Sequence, residues 1–149
     1  MARVQVEIER IVGAVPGEVY ELLRDYRGRR QAIAPPEIED YQVEEGGEGA
    51  GTLLRYRLRA GRRRRTYRVR VEEPVKGRTL RESDLQSSFV TIWELTPAGD
   101  GGQTRVRLAS EWEGASGLAG FFERRFAPLA LRRIYAAMLE RLARELERA

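Results

Sequence analysis

Glu82 and Asp84 alternate along Arg78 to Leu85, a segment that reads as a β-strand, so both carboxylates share a face with Leu80. With Leu80 turned inward, the pair would enter an apolar space. There desolvation raises a carboxyl pKa and suits it to general acid–base work or to binding an amine. Two other outcomes are open: the strand end or a bulge turns them to water, or arginines pair with them. Little else in the chain is equipped for chemistry. There is no histidine and no cysteine, so a zinc site, a histidine-based triad, a thiolate nucleophile and a disulfide are all ruled out by residue type. Acid–base work falls to Asp, Glu, Tyr or Lys76, the one lysine. No phosphate-cradling G-x-x-x-x-G-K-S/T run occurs. No metal and no cofactor is expected.

The elements that would position these residues follow from hydropathy patterning. Arg3 to Ile11 alternates, with Val4, Val6 and Ile8 on one face. Val15-Pro16-Gly17 opens a short helix striped by Val19, Leu22 and Leu23, and Pro16 suits its first turn. Tyr26 to Ala34 reads as a second short helical piece, stopped by Pro35-Pro36. Strands follow over Ile38 to Glu45, Thr52 to Arg59, Arg63 to Glu73, Arg78 to Leu85, Ser87 to Thr96 and Gln103 to Glu113, each bounded by turn residues. Gly114 to Gly117 leads into a long helix, Leu118 to Leu146, with Leu131, Ile134, Tyr135, Met138, Leu142 and Leu146 on one stripe. Pro128 predicts a kink there, or two abutting segments. A curved antiparallel sheet with a long helix in its concavity leaves room for a pocket. The pattern predicts a container.

The chain has 149 residues, 42% hydrophobic and 34% charged, enough for one domain with a real core, read here as residues 1–149. No apolar run reaches the roughly 18 residues of a membrane span. The first residues lack a signal peptide's apolar block, so a cytoplasmic location is the default. A formal charge of +4 permits polyanion binding without requiring it.

Four stretches carry a family resemblance. Val6 to Arg10 through Val15-Pro16-Gly17-Glu18-Val19-Tyr20-Glu21-Leu22-Leu23-Arg24-Asp25-Tyr26 resembles an opening strand followed by a P-x-x-V-W/Y-x-L-L/I-x-D helix. Gly49-Ala50-Gly51-Thr52 resembles the turn before the third strand. Gly102-Gln103-Thr104-Arg105-Val106 resembles a G-x-T-R-V start of the last strand. Leu118 to Phe122 with Leu139 to Glu147 resembles the closing helix. Together they are similar to the START-like (SRPBCC) superfamily, with its Bet v 1-like helix-grip fold and its polyketide cyclase/dehydrase group. The resemblance covers nearly the whole chain. It implies an α+β fold: a seven-stranded curved antiparallel sheet wrapped around the C-terminal helix, with two short helices after the first strand. The family's usual Trp after the Asp is replaced by Tyr26-Arg27-Gly28-Arg29-Arg30.

In the family register Val106, Leu108, Ser110 and Trp112 point inward, and alternation adds Tyr56, Tyr67, Val69, Phe89, Thr91 and Trp93. Tyr135 and Met138 face them from the helix. The expected void lies beneath Trp93 and Tyr135. An aromatic lining with a few polar tips suits a small molecule; it is also what a solid core using Tyr and Trp as filler would show. The reading preferred is non-covalent binding or transport of a hydrophobic or amphipathic molecule, such as a lipid, isoprenoid or polyketide-like compound. A cyclase or dehydratase using Glu82, Asp84 or a tyrosine is the first alternative. The second is an interaction module acting through Arg55, Arg57, Arg59, Arg62 to Arg65, Arg68 and Arg70. These would form a convex basic face, with Glu72, Glu73 and Glu94 as cross-strand partners. That face lacks interleaved aromatics, so nucleic acid is not the expected partner.

Overall fold

A computed structural model describes residues 3–114 and 117–148, with only the backbone for 117–126. The element order is β1 (Arg3–Val12), α1 (Pro16–Arg24), a 3-10 turn (Arg29–Ile33), β2 (Ile38–Glu45), β3 (Leu53–Ala60), β4 (Arg63–Val75), β5 (Thr79–Asp84), β6 (Val90–Ala98), β7 (Gln103–Glu113) and α2 (Gly117–Glu147). The strands form one antiparallel sheet in the order β1-β7-β6-β5-β4-β3-β2. From β2 onward each strand pairs with the next, as short turns dictate. The chain reaches β2 from β1 by crossing through α1 and the 3-10 turn to the opposite edge. The sheet's inner face receives α1, which meets β6 and β7, and α2, which meets β1, the 3-10 turn and β3. This is the helix-grip fold.

Register sets which side chains the helices see. Tyr56 sits opposite Tyr67 and Leu54 opposite Val69; Glu82 lies between Val71 and Thr91. Trp93 faces Leu108, and Thr91 faces Ser110. Because side chains alternate with period two, these pairs form a single inward face. Val6, Leu80, Trp93, Val106 and Leu108 are buried on it, against Leu22, Leu23, Leu139 and Leu142 from the helices.

Local chemistry explains the joints. The Asp25 carboxylate accepts from the Gly28 and Arg29 amides, both at 3.1 Å, which bends the chain out of α1 into the 3-10 turn. A Cβ at Gly28 would lie 2.5 Å from the Asp25 carboxylate, so a side chain there would displace the group that makes this bend. The Tyr20 hydroxyl donates to Glu73, and Glu73 also accepts from the Ala50 amide at 2.8 Å. That ties α1 to β4 through the Gly49–Thr52 turn.

Two expected details differ. The second helical piece, expected over Tyr26 to Ala34, contracts to a 3-10 turn because the Asp25 bend and Pro35 leave it one turn of chain. The helix α2 runs across Pro128 as one element rather than two abutting segments. The Leu118 to Phe122 part of the resemblance, and the Ala115-Ser116 link, lie outside the residues whose side chains are described.

Candidate ligand-binding site

Between sheet and α2 the interior is divided into an outer and an inner chamber. The outer chamber has a volume of about 470 Å³. Its floor is Leu58, Tyr67, Phe89 and Trp112, and Ala127, Ala130 and Leu131 of α2 roof it. Small residues on the helix leave the space between the layers unfilled here. The floor continues an aromatic ladder, with ring centroids 5.7 Å apart for Tyr56–Tyr67, 4.5 Å for Tyr67–Phe89 and 5.8 Å for Phe89–Trp112. Such spacings stabilise the rings against one another and hold the floor rigid. The chamber reaches the surface, since exposed Arg62, Arg63 and Ser88 belong to its wall.

The inner chamber, about 40 Å³, is bounded by Arg30, Tyr56, Glu82, Trp93, Tyr135 and Met138 among others. It is nearly filled, and by polar groups. Glu82 accepts from the Tyr26 hydroxyl at 2.6 Å and from Arg30 Nη2 at 2.7 Å. Arg30 Nη1 donates to the Leu23 carbonyl at 2.9 Å, and its guanidinium lies 4.9 Å from the Tyr26 ring and 4.8 Å from the Trp93 ring. Arg30 and Glu82 are only 5% and 4% exposed. Burial works against the Arg30 charge, but Glu82 beside it outweighs burial and moves its pKa up. Burial and the adjacent Glu82 push the Tyr26 phenol well above its usual value. Beside this cluster, a hydroxyl chain links Thr91 to Ser110 at 2.6 Å and Ser110 to Tyr135; burial raises Tyr135 to about 12. Leu58 belongs to both walls, so the chambers meet at its side chain.

The residues expected to line one pocket are therefore distributed. Tyr67, Phe89 and Trp112 wall the outer chamber; Tyr56, Thr91, Trp93, Leu108, Tyr135 and Met138 wall the inner one. Val69 is fully buried and borders neither, and Ser110 is committed to its hydroxyl chain. Most of the open volume lies toward the β3–β4 hairpin, not beneath Trp93 and Tyr135, where Arg30 and Glu82 occupy the space. Glu82 does face inward, held by arginine. Asp84 instead closes the strand end, accepting from the Arg68 amide at 3.1 Å and the Ser87 hydroxyl at 2.6 Å.

The arginine face also needs correction. Arg57, Arg59 and Arg64 converge on Glu39, and Arg68 and Arg70 reach Glu44 and Glu45. Their partners come from β2. Glu73 is engaged by Tyr20 and Arg24, and Glu94 by Arg107. Arg63 and Arg65 are not on that face at all. They alternate with Arg64 and share the inward parity of Tyr67, so with Arg62 they border the outer chamber.

Sequence reasoning passed over Arg30, Tyr26, Leu58 and Ala130. Arg30 stands in a run of similar residues, and only the tertiary meeting with Glu82 distinguishes it. For Arg63 and Arg65 the signal was present, in their two-residue spacing from Tyr67. Among the described residues no group of acidic side chains is arranged to hold a metal, and no helix is long and apolar enough to cross a membrane.

Residues 2–147 match the family described as polyketide cyclase/dehydrase and lipid transport; the chain belongs to that family. Among solved structures it is similar to KanY, seen in solution, with 38% identity over 99% of both chains and a TM-score of 0.86. It also shares its fold with the Zhui aromatase/cyclase from Streptomyces sp. R1128, at 20% identity over 99% of this chain and 95% of that one, TM-score 0.77. Ara h 8.0201 has the fold at 12% identity over 99% and 100% of the two chains, TM-score 0.65. No curated protein matches the sequence.

Proposed function

We propose that this protein binds a hydrophobic or amphipathic small molecule, lipid-like or polyketide-like, in its outer chamber. The observation that carries this is a 470 Å³ chamber with an aromatic floor, a roof of small and aliphatic residues, and an opening to solvent. That volume falls within the range of small-molecule sites, which is roughly 300–1,000 Å³. Each 100 Å² of apolar ligand surface taken from water contributes roughly 2–3 kcal/mol before ordering costs. A rigid aromatic floor keeps those costs down. Membership of a family that includes lipid carriers and polyketide cyclases agrees with such a guest.

Binding, rather than turnover, is the reading the walls favour. The buried carboxylate Glu82 is paired with Arg30 and Tyr26 and borders the inner chamber, away from the larger space. Two measurements test the proposal. Native mass spectrometry of the purified protein should find a co-purified small molecule, or saturable uptake of pyrenebutanol should be seen by fluorescence. Ala130→Trp, which fills the chamber from the roof, should abolish that uptake while the circular dichroism spectrum stays unchanged. Uptake undiminished in a folded Ala130→Trp protein would overturn the site.

A further inference from the structure

We propose that the mouth of the outer chamber recognises an anionic headgroup, so that the guest is an amphiphile with an acidic end, a carboxylate or a phosphate. This deepens the binding proposal and rests on it.

The argument starts from strand parity. Tyr67, Arg65 and Arg63 occupy alternate positions of β4, so all three point to the inner side of the sheet. Across the hairpin their partners are Tyr56, Leu58 and Ala60, of which Leu58 and Ala60 also line the outer chamber. Gly61, with φ of +65°, makes the tight turn that carries Arg62 over the end of the same space. An apolar face thus ends in guanidinium groups at the point where it opens to water.

Charge pairing separates these arginines from their neighbours. On the outer face Arg57, Arg59, Arg64, Arg68 and Arg70 each lie within 4 Å of a β2 carboxylate, Arg55 being the exception. Arg62, Arg63 and Arg65 make no ion pair among the described residues. The one acidic side chain in the described wall is Glu113, so three positive charges face one negative charge. The Arg65 guanidinium is not adrift: it lies 5.3 Å from the centroid of the Tyr67 ring. Stacking on a floor residue holds the guanidinium beside the chamber and leaves its N–H groups to donate to a ligand's oxygens, for which the planar fork is suited. An acidic head placed there would let the apolar body lie along Tyr67, Phe89 and Trp112.

The test compares pyrenebutyrate with pyrenebutanol, which differ only in the charged end, by fluorescence titration at low salt. A carboxylate is better hydrated than an alcohol, so a merely apolar cavity would favour the alcohol. The wild-type protein should instead bind the acid about tenfold more tightly, as expected for one charge-assisted contact. Added salt should weaken the acid alone. Arg63→Gln with Arg65→Gln should remove the preference, bringing the affinity for pyrenebutyrate down to that for pyrenebutanol or below it. Arg57→Gln with Arg59→Gln, which deletes an equal charge on the outer face, should leave the preference intact. Equal affinities in the wild type, or a preference that survives Arg63→Gln with Arg65→Gln, would overturn this inference while the apolar site stands. Failure of both probes to bind would remove the site itself and the inference with it. Co-sedimentation with phosphatidylglycerol vesicles and no uptake of free pyrenebutyrate would also overturn it, assigning the arginines to a membrane surface.

Discussion

Breaking the Arg30–Glu82 pair should be among the costliest single changes this fold can suffer. Both side chains are almost fully buried, and Glu82 holds Arg30 at 2.7 Å and Tyr26 at 2.6 Å through one oxygen. Removing one member of a buried pair strands the other charge and typically costs about 3–5 kcal/mol. Glu82→Gln keeps an acceptor for Tyr26 but leaves the Arg30 cation uncompensated, so a loss of about 3 kcal/mol is expected. Arg30→Met also forfeits the Leu23 carbonyl contact and the stacking on Tyr26 and Trp93, so its cost should reach about 4–5 kcal/mol. Joining Arg30→Met to Glu82→Leu replaces the pair with apolar volume and should cost clearly less than the sum, with a coupling of about 2 kcal/mol or more. Urea unfolding followed by circular dichroism measures all of these. In a chain of this size, 3 kcal/mol corresponds to a melting temperature lowered by roughly 6–12 °C. Since Glu82 lies outside the outer chamber, Glu82→Gln should leave pyrenebutanol affinity within about two-fold, a few tenths of a kcal/mol. A Glu82→Gln protein as stable as wild type, or a strictly additive double variant, would refute the reasoning: the pair would then be hydrated, not sealed.

Alkaline pH should unfold the protein cooperatively. Burial raises Tyr135 to about 12 and holds Tyr26 and Tyr56 well above the usual 10. A folded-state pKa above the unfolded one means stabilisation that is complete below pH 10 and lost as pH rises toward 12 and beyond. Tyrosinate absorbance should therefore appear together with loss of far-ultraviolet dichroism; gradual ionisation near pH 10 in a folded protein would contradict this. On the acid side, burial opposes the Glu73 charge, but the Tyr20 hydroxyl, the Ala50 amide and Arg24 outweigh it and lower its pKa. Its contribution is present above the ordinary carboxyl range and fades as pH falls through the lowered value. Tyr20→Phe should reduce stability at neutral pH by about 1–3 kcal/mol, with the gap to wild type closing in acid.

The fold was legible because its signals are local and repeated. Period-two alternation in Val4-Gln5-Val6 or Val106-Arg107-Leu108, and the helical stripe from Leu131 to Leu146, each name their own buried face. The division of the interior was not legible in the same way. It arises where Arg30, from a turn stabilised by Asp25, meets Glu82 from the middle of the sheet, a contact 52 residues apart in the chain. Nothing in either segment announces the other. Ala127 and Ala130 keep the outer chamber open by being small, and smallness on a helix is a weak signal. The arginines failed for a different reason: a dense run hides parity. Arg63 and Arg65 belong with Tyr67, and Arg64 with the outer face, yet the run reads as one basic block.

The β2 border of the sheet bears on how the protein behaves when crowded. Its register shifts between Glu39 and Gln42 and again between Val43 and Glu45, and Asp40 takes a left-handed conformation at φ of 51°. A border so interrupted cannot offer the straight row of amides and carbonyls that a second chain would need to extend the sheet. Its acidic side chains are, moreover, already turned toward the arginines of the neighbouring strands. That border is thereby closed to the commonest route from exposed backbone to fibril, so any extension of the sheet by a second chain would have to start from the opposite border, at β1.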